Sequence, residues 1–391
     1  MRKIVFILSI IFAFSAHCQA QNTKGKKADP NKNIKQKPEN ENAVKTGDCS
    51  NCLALVRGLK TWGYVDKTGN VAINLQFDDA RSFSNGYARV KKMNSWGYID
   101  LKGTYVINPQ FERAEDFSEG LARVVKFKKW GYIEKSGTFT INPQFNDAED
   151  FSGGLARVKT GVLWGLIDTK GDFVVNPQFA ELGGFIDGLA RARVGKQWGY
   201  IESSGKWAIN PQFDDAEDFH DGLARVKKGT QWGYIDETGI FSITPQFEGA
   251  GDFYNGLARA KKMKQWGYID KKGNWAVNPQ FDNAEDFSEG LARVRKGKDW
   301  GFIGTEGTYT INPQFEDAEN FSNGLARVKT ATQWGFINKK GGYVINPQFT
   351  SAKNFRNGFA VVRKGTKWGF INPDGGIVID YQFNEADDFT K

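Results

Sequence analysis

The stretch "QWGYIDETG", Gln231 to Gly239, alternates apolar and polar residues up to a glycine, a pattern typical of a β-strand that enters a tight turn. Its Trp-Gly pair recurs along the sequence at a constant interval of 34 residues. The tryptophans of these pairs are Trp62, Trp96, Trp130, Trp164, Trp198, Trp232, Trp266, Trp300, Trp334 and Trp368. Residues 52–391 therefore contain ten copies of one 34-residue unit, and repeats of this length predict a solenoid, a propeller or a related array.

One copy, residues 222–255, predicts three short strands, at "LARV", "WGYID" and "IFSIT". Pro245 is expected to end the third strand, because proline has no N–H to donate to a ladder. The segment "QFEGAGDFYNG" leads to the next copy and leaves room for a short fourth strand. No helical periodicity occurs in the array, so the sequence predicts an all-β tandem array of ten β-meander repeats.

Two phenylalanine series accompany the tryptophans in every copy. The first comprises Phe77, Phe111, Phe145, Phe179, Phe213, Phe247, Phe281, Phe315, Phe349 and Phe383; the second comprises Phe83, Phe117, Phe151, Phe185, Phe219, Phe253, Phe287, Phe321, Phe355 and Phe389. Each large aromatic side chain buries roughly 150–250 Å². The Trp series is therefore interpreted as repeat core, and the glycine after each Trp as space for a backbone or indole face.

Two architectures satisfy this pattern. An open, solenoid-like array stacks each unit only on its neighbours and needs capped ends. A closed, β-propeller-like ring is the alternative, but propellers typically have four to eight blades of four strands. Ten units with three clear strands favour the open array.

The first unit supports an open end. Cys49 stands where other copies have the second-series Phe, and Cys52 stands where they have Gly. A disulfide between them is expected to cap the array, since no earlier unit is there to receive a Phe. A redox-active Cys-x-x-Cys would call for a thioredoxin-like βαβ setting, which the sequence lacks.

The segments before the array predict export. Residues 1–20 combine Arg2 and Lys3 with a short apolar run, which indicates a Sec-type signal peptide cleaved near Ala20. Cys18 suggests a lipoprotein anchor less well, because His17 precedes it. Residues 21–48 are rich in Lys, Asn and Gln and predict a disordered tether, leaving residues 49–391 as the repeat domain. The expected location is extracytoplasmic, with no transmembrane segment.

The charge distribution argues against a nucleic-acid partner. The net charge is +8, of which the leader contributes +2, the tether +3 and residues 49–391 only +3. A basic groove is therefore not expected in the repeat domain.

The phrase "GLARV…WGYID.TG…INPQF..A.DFS.G" resembles the WG-repeat family, a bacterial family named for the Trp-Gly pair. The resemblance covers residues 52–391. It implies an exported or surface β-repeat protein of mostly undefined function, and it supplies no catalytic residues.

Few residues are suited to catalysis or metal binding. His220 is the only histidine after the leader, so no Ser-His-Asp or Cys-His set can be assembled beyond it. Two cysteines and one distant histidine do not make a four-ligand zinc site, and no cofactor is expected. Acids recur in nearly every copy, notably within "FDDAEDF" and "FEDAENF", which suggests a structural task.

The arginines of "LARV" are candidate partners for these acids. They are Arg89, Arg123, Arg157, Arg191, Arg225, Arg259, Arg293 and Arg327. Pairing with Asp116, Asp150, Asp218, Asp252 or Asp286 would align neighbouring units through charge-assisted bonds; a solvated mixed-charge face is the alternative.

The sequence thus predicts a non-enzymatic exported scaffold that binds an unknown protein or polysaccharide at the cell envelope. Two alternatives remain: a carbohydrate-binding module with aromatic platforms, and a glycan-active enzyme that uses repeat carboxylates. In a repeat protein with a constant core, function usually lies on the surface that varies. Here the variable segments precede each Trp, as in "KKMNS", "KFKK", "KTGVL" and "KTATQ".

Overall fold

The computed structural model describes Cys49 and residues 51–391; the expectations for residues 1–20 and 21–48 fall outside this part. All regular elements of the described residues are β-strands. In chain order they are β1 (Leu53–Arg57), β2 (Trp62–Val65), β3 (Val71–Phe77), β4 (Asp79–Ala80), β5 (Tyr87–Lys92), β6 (Ser95–Asp100), β7 (Tyr105–Phe111), β8 (Arg113–Ser118), β9 (Leu121–Lys126), β10 (Lys129–Glu134), β11 (Phe139–Phe145), β12 (Asp147–Ala148), β13 (Leu155–Thr160), β14 (Leu163–Asp168), β15 (Phe173–Phe179), β16 (Glu181–Leu182), β17 (Leu189–Val194), β18 (Gln197–Glu202), β19 (Trp207–Phe213), β20 (Asp215–His220), β21 (Leu223–Lys228), β22 (Gln231–Ile235), β23 (Phe241–Phe247), β24 (Gly249–Ala250), β25 (Leu257–Lys262), β26 (Gln265–Asp270), β27 (Trp275–Phe281), β28 (Asn283–Ala284), β29 (Ala292–Lys296), β30 (Asp299–Ile303), β31 (Tyr309–Phe315), β32 (Asp317–Ala318), β33 (Leu325–Thr330), β34 (Gln333–Asn338), β35 (Tyr343–Phe349), β36 (Ser351–Ala352), β37 (Ala360–Lys364), β38 (Lys367–Ile371), β39 (Ile377–Phe383) and β40 (Glu385–Thr390).

These strands form ten four-stranded antiparallel sheets, here called blades. Blades 2 to 10 each contain four consecutive strands, from β4–β7 to β36–β39. Blade 6, for example, contains β20 to β23 in sequence order, so each strand pairs with the next along the chain. The three predicted strands of the repeat are confirmed. Each blade also has one further strand, which occupies the first position in the blade and in most blades consists of only two residues.

The Trp-Gly pair lies in the third strand of its blade and faces a bulge in the fourth. In blade 6, Trp232 is opposite Phe247 and Tyr234 is opposite Ile243, so Gly233 alone faces the three residues 244–246. A Cβ on Gly233 would lie 2.6 Å from both the Ile243 carbonyl oxygen and the Pro245 nitrogen. Because glycine has no side chain, the backbone of the neighbouring strand can approach this closely. The prediction that Pro245 ends the strand is wrong: the strand continues to Phe247 along an outer edge of the sheet, where a missing N–H is tolerated.

The hydrophobic core lies between blades. Each of the ten buried clusters joins two neighbouring blades, and the cluster between blades 5 and 6 combines Tyr200 and Phe213 with Phe219 and Val226. The Tyr200 ring centroid lies 4.9 Å from that of Phe219, and the Tyr200 hydroxyl donates to the Glu217 carbonyl at 2.7 Å. The first phenylalanine series is buried in all ten copies, as predicted, and the second in eight of ten.

The array is a closed ring of ten blades, and the prediction of an open solenoid is wrong. Strand β40 pairs with β1, with Ala54 opposite Phe389 and Arg57 opposite Glu385. A hydrophobic cluster also joins Phe370 of blade 10 to Val65 of blade 1. The chain thus begins blade 1 with the second strand of that blade, β1, and later supplies its first strand, β40. The closed propeller-like alternative describes the molecule, with more blades than propellers usually have.

The two ends of the array overlap at the junction between blades 10 and 1, here called the seam. Cys49 and Phe389 occupy the same repeat position, ten units apart. Phe389 is fully buried and takes the place that the first copy leaves open. Cys49 is joined by a disulfide to Cys52, with 5.0 Å between their Cα atoms, and both pack in the same cluster as Phe389. The argument that no unit precedes the first copy is therefore wrong, because the last unit fills that place.

The disulfide is expected to act locally at the seam. Free-thiol labelling of the native protein, read by mass spectrometry, should find Cys49 and Cys52 protected until a reductant is added. Because the closed loop is very short, reduction should cost about 2 kcal/mol at most, the low end of the usual range. Hydrogen exchange should then increase mainly in β1 and β40. Two thiols that alkylate readily without reduction would contradict this expectation.

Candidate functional site

Every Trp of the Trp-Gly series is covered by a cationic side chain. A guanidinium carbon or an ammonium nitrogen lies 4.9–5.8 Å from each indole centroid, and four indoles have two such groups. Trp96, Trp130 and Trp300 are buried, whereas the other seven are partly exposed. The Trp series thus lies at the margin of the core. The residue two positions later, such as Tyr234, lies at its centre and is fully buried.

The arginines of the "LARV" strands connect each blade to the next. All eight donate from a terminal guanidinium nitrogen to a backbone carbonyl of the following blade; the acceptors are Ala114, Ala148, Leu182, Ala216, Ala250, Ala284, Ala318 and Ala352. The Arg Nε also lies 2.7–3.1 Å from a carboxylate oxygen of Asp116, Asp150, Asp218, Asp252 and Asp286. The predicted arginine–aspartate ladder is confirmed, and five of its members are ion pairs.

The ladder changes at the seam, where Val361 replaces the arginine. Lys353 Nζ instead lies 2.7 Å from Asp387 Oδ1, and Ser82 donates to Asp387 Oδ2 at 3.0 Å. Burial opposes ionisation of Asp387, but the hydrogen bonds from Lys353, the Asp388 N–H and Ser82, together with the Lys353 charge, outweigh it and lower the pKa of Asp387. Burial, with the Asp387 charge beside it, raises the pKa of Asp388. Neighbouring in sequence, Asp387 and Asp388 thus have pKa values shifted in opposite directions. Sequence analysis missed this pair, because its environment depends on ring closure.

The remaining predicted residues do not converge on a reaction centre. His220 lies against the Tyr254 ring, with centroids 5.1 Å apart, and its Nε2 is 3.9 Å from Asp252 Oδ2. Among the residues that the structure describes, no three His, Cys, Asp or Glu side chains are placed to hold a metal ion. The same part of the chain contains no apolar helix long enough to cross a membrane.

The variable segments lie together on one face of the ring, here called the tip face. Each is the turn between the second and third strands of a blade, and equivalent turns of equivalent blades lie on the same face. These tip segments are residues 57–61, 91–95, 125–129, 159–163, 193–197, 227–231, 261–265, 295–299, 329–333 and 363–367. In blade 2, Met93 and Asn94 both have positive φ, and the Met93 N–H donates to Asp78 at 2.7 Å. The turns are therefore tight and anchored at their base.

The tip face is basic, although the repeat domain as a whole is nearly neutral. The tip segments contain 22 lysines and arginines and one acid, Asp299. The two residues after each first-series Phe adjoin the tips and contribute 12 acids and Arg113, which leaves a net charge of +10. The loops before the "LARV" strands lie at the opposite ends of the strands and carry −12; they are residues 81–86 and their equivalents in each copy. The whole-domain charge of +3 conceals this division.

The tip face also presents the most exposed apolar side chains of the described residues. Leu59 is 86% exposed, Met93 85%, Phe127 80%, Met263 78% and Val162 77%, and all five lie at the outermost point of a tip. Four of them come from consecutive blades 1 to 4. The sequence interpretation missed these side chains, although Leu59, Met93, Phe127 and Met263 lie at one repeat position and would have revealed the pattern.

Comparison with known proteins identifies the repeat. The model of the WG containing repeat matches residues 62–94, 96–130, 130–161, 164–198, 198–229, 232–262, 266–298, 300–330, 334–368 and 368–391. No curated protein sequence matches the chain.

Several solved structures align with the chain at low sequence identity. A eukaryotic initiation factor aligns at 11% identity with a TM-score of 0.50, covering 78% of this chain and 98% of its own. PorZ, a surface component of the type-IX secretion system of Porphyromonas gingivalis, aligns at 10% identity and a TM-score of 0.28, covering 79% of this chain and 52% of PorZ. The extracellular domain of a putative one component system from B. thetaiotaomicron aligns at 9% identity and a TM-score of 0.30, covering 84% and 57%.

Proposed function

The chain belongs to the WG containing repeat family, and we propose that it is an exported, non-enzymatic binding scaffold of the bacterial cell envelope. In this proposal the closed ring is the rigid support, and the tip face binds a protein or an envelope polymer. The observation that carries it is the division between constant and variable positions. Buried aromatics and the arginine ladder repeat in nearly every blade, whereas the tips differ in charge and apolar character.

The basic character of the tip face favours an acidic partner. A net charge of +10 on one face attracts anionic surfaces and accelerates encounter with them. Envelope polymers rich in phosphate or carboxylate groups have the complementary charge. An acidic protein surface would satisfy the same requirement.

The aromatic-platform alternative has less support. A sugar-binding tryptophan needs a free indole face, but each Trp of the series has at least one cation over its ring. The carbohydrate-binding alternative would therefore have to use other side chains.

The glycan-active alternative has one favourable observation, the Asp387 and Asp388 pair. A glycosidase needs one carboxyl that stays protonated and one that stays ionised, and opposite pKa shifts are the usual sign of such a pair. Against it, Asp387 is occupied by Lys353 and Ser82. In the proposed function, these two aspartates stabilise the junction between blades 10 and 1.

The proposal is tested by co-sedimentation with envelope fractions. The triple variant Lys228→Glu, Lys262→Glu and Lys364→Glu reverses charge on the tip face in blades 6, 7 and 10. Binding should fall about tenfold or more, because charge reversal removes the attraction and adds repulsion. High salt should weaken wild-type binding in the same direction.

The matched control reverses three lysines in turns on the opposite face, Lys102, Lys170 and Lys272, and should bind like the wild type. Equal binding by both variants would contradict the tip face as the binding surface. Screens on cell-wall and polysaccharide substrates should show no turnover. Turnover that Asp388→Asn abolishes would replace the scaffold proposal with the glycan-active one.

A further inference from the structure

The outermost apolar side chains of blades 1 to 4 define a distinct part of the tip face, here called the apolar arc. It consists of Leu59, Met93, Phe127 and Val162, each at least 77% exposed. Leu59, Met93 and Phe127 occupy one repeat position, and Val162 occupies the next. The first of these positions holds Gly or Ala in every other blade except blade 7, where it holds Met263, so blades 1 to 4 are the only consecutive run of described blades with such a side chain. Large apolar side chains at such exposure cost solubility and usually mark a binding surface.

The arc is surrounded by positive charge. Its four tip segments contain eight lysines or arginines and no acid. Lys126 Nζ lies 5.9 Å from the Phe127 ring centroid, so cation and apolar group protrude from the same turn. Five carboxylates lie at the base of these tips and are engaged there. Asp78 and Glu112 accept from tip backbone N–H groups. Asp79 pairs with Arg81, and Asp147 accepts from the Ala148 N–H. Glu385 pairs with Arg57 of the first tip.

We propose that the apolar arc docks the ring on an anionic lipid surface, with the four apolar side chains in the interfacial layer and the flanking lysines at lipid headgroups. This inference rests on the proposed function and assigns a partner to part of the tip face. The geometry favours lipid over protein because the apolar groups are separate, convex points on hairpin tips. A protein partner favours contiguous, packed anchors in pockets, whereas a fluid bilayer accepts isolated protruding groups.

The charge pattern agrees with the same partner. Basic residues near an anionic membrane each add to binding, and buried apolar side chains add to it independently of salt. A soluble acidic polymer would use the lysines but would gain little from Leu59 or Phe127. The apolar contribution is therefore the feature that separates a lipid surface from other anionic partners.

The test is vesicle co-sedimentation of the purified protein in about 0.15 M salt. Vesicles of phosphatidylcholine alone are compared with vesicles that contain about a third phosphatidylglycerol. The arc variant carries Leu59→Ser, Met93→Ser, Phe127→Ser and Val162→Ser. The control variant carries Val71→Ser, Ile240→Ser and Ile377→Ser, which are exposed apolar residues outside the tip segments. All versions share the same residues outside the ring, so contributions from those residues cancel.

We expect the wild type and the control variant to bind the anionic vesicles and to leave the neutral ones largely unbound. The affinity of the arc variant for the anionic vesicles should be lower than that of the wild type by a factor of about ten or more. Thermal unfolding should be unchanged in the arc variant, because its four side chains are exposed.

Failure of the wild type to bind anionic vesicles, or equal binding by the arc variant, would overturn the inference. A parallel measurement with delipidated envelope polymers and proteins separates the two proposals. If the protein binds the delipidated polymers or proteins but not the vesicles, the lipid inference is wrong and the scaffold proposal stands. If it binds none of them, both proposals are wrong.

Discussion

Truncation of Phe389 to alanine should destabilise the protein as strongly as truncation of Phe219, by about 3–5 kcal/mol, the usual cost for a buried Phe. The two side chains occupy equivalent positions in blades 1 and 6 and are 0% and 1% exposed. The Phe389 ring centroid lies 4.8 Å from that of Phe359 and 5.1 Å from that of Phe370, both in blade 10. Asn357 of the same blade donates to the Phe389 carbonyl at 2.9 Å. The last residues of the chain are thus as fully packed as a middle copy.

Equilibrium unfolding in denaturant measures this expectation, with Phe127→Ala as a control. Phe127 is 80% exposed, so its truncation should change the free energy of unfolding by less than about 0.5 kcal/mol. A loss at Phe389 far below that at Phe219 would indicate an open end in solution. It would count against ring closure.

Replacement of Gly233 by alanine is expected to destabilise the protein by about 1–3 kcal/mol or more, the cost of forcing extra volume into a packed region. The new Cβ would lie 2.9 Å or less from the carbonyl oxygen of Ile243 and from two backbone atoms of Pro245. Backbone atoms cannot rotate aside as a side chain can. The fourth strand of the blade, β23, would have to move away from Trp232 and Tyr234, which would loosen the pairing on both sides of the bulge.

Gly184→Ala is the matched control for this change. A Cβ at Gly184 meets no heavy atom within 4 Å, and the residue is outside the left-handed region. Alanine there should be neutral or slightly stabilising, since it reduces the freedom of the unfolded chain. Equal midpoints for the two variants in denaturant would show that the Trp-Gly glycine serves another purpose than close backbone approach.

The repeating interior could be predicted from the sequence because the patterns that produce it lie within a single repeat. The alternation in "LARV" and "WGYID" predicts strands, and the recurrence of Arg with Asp predicts the ladder that the structure contains. The placement of Trp at the core was less accurate. A residue that is the same in every copy can be buried in the core or can lie at its margin under a cationic side chain. Most of these tryptophans are half-buried.

Ring closure could not be predicted from the sequence, because it depends on how the two ends of the array meet. The first strand of most blades contains two residues, as in Asp79–Ala80, and is too short to show periodicity. Cys49 in place of a Phe indicated a missing neighbour, although Phe389 supplies that neighbour from the other end. The tip face was hidden for a similar reason, since net charge over the domain averages two oppositely charged faces.

The pairing of β40 with β1 has a consequence for how the protein folds as it is synthesised. Strand β1 has no partner on one side until the last seven residues of the chain, 385–391, have been synthesised. A growing chain therefore carries an open strand edge, which is a template for pairing with other chains. The ring closes only when β40 becomes available to β1. Before that point two chains can exchange this strand, each supplying β40 to the β1 of the other, so the pairing of β40 with β1 of the same chain is the step that completes a single ring.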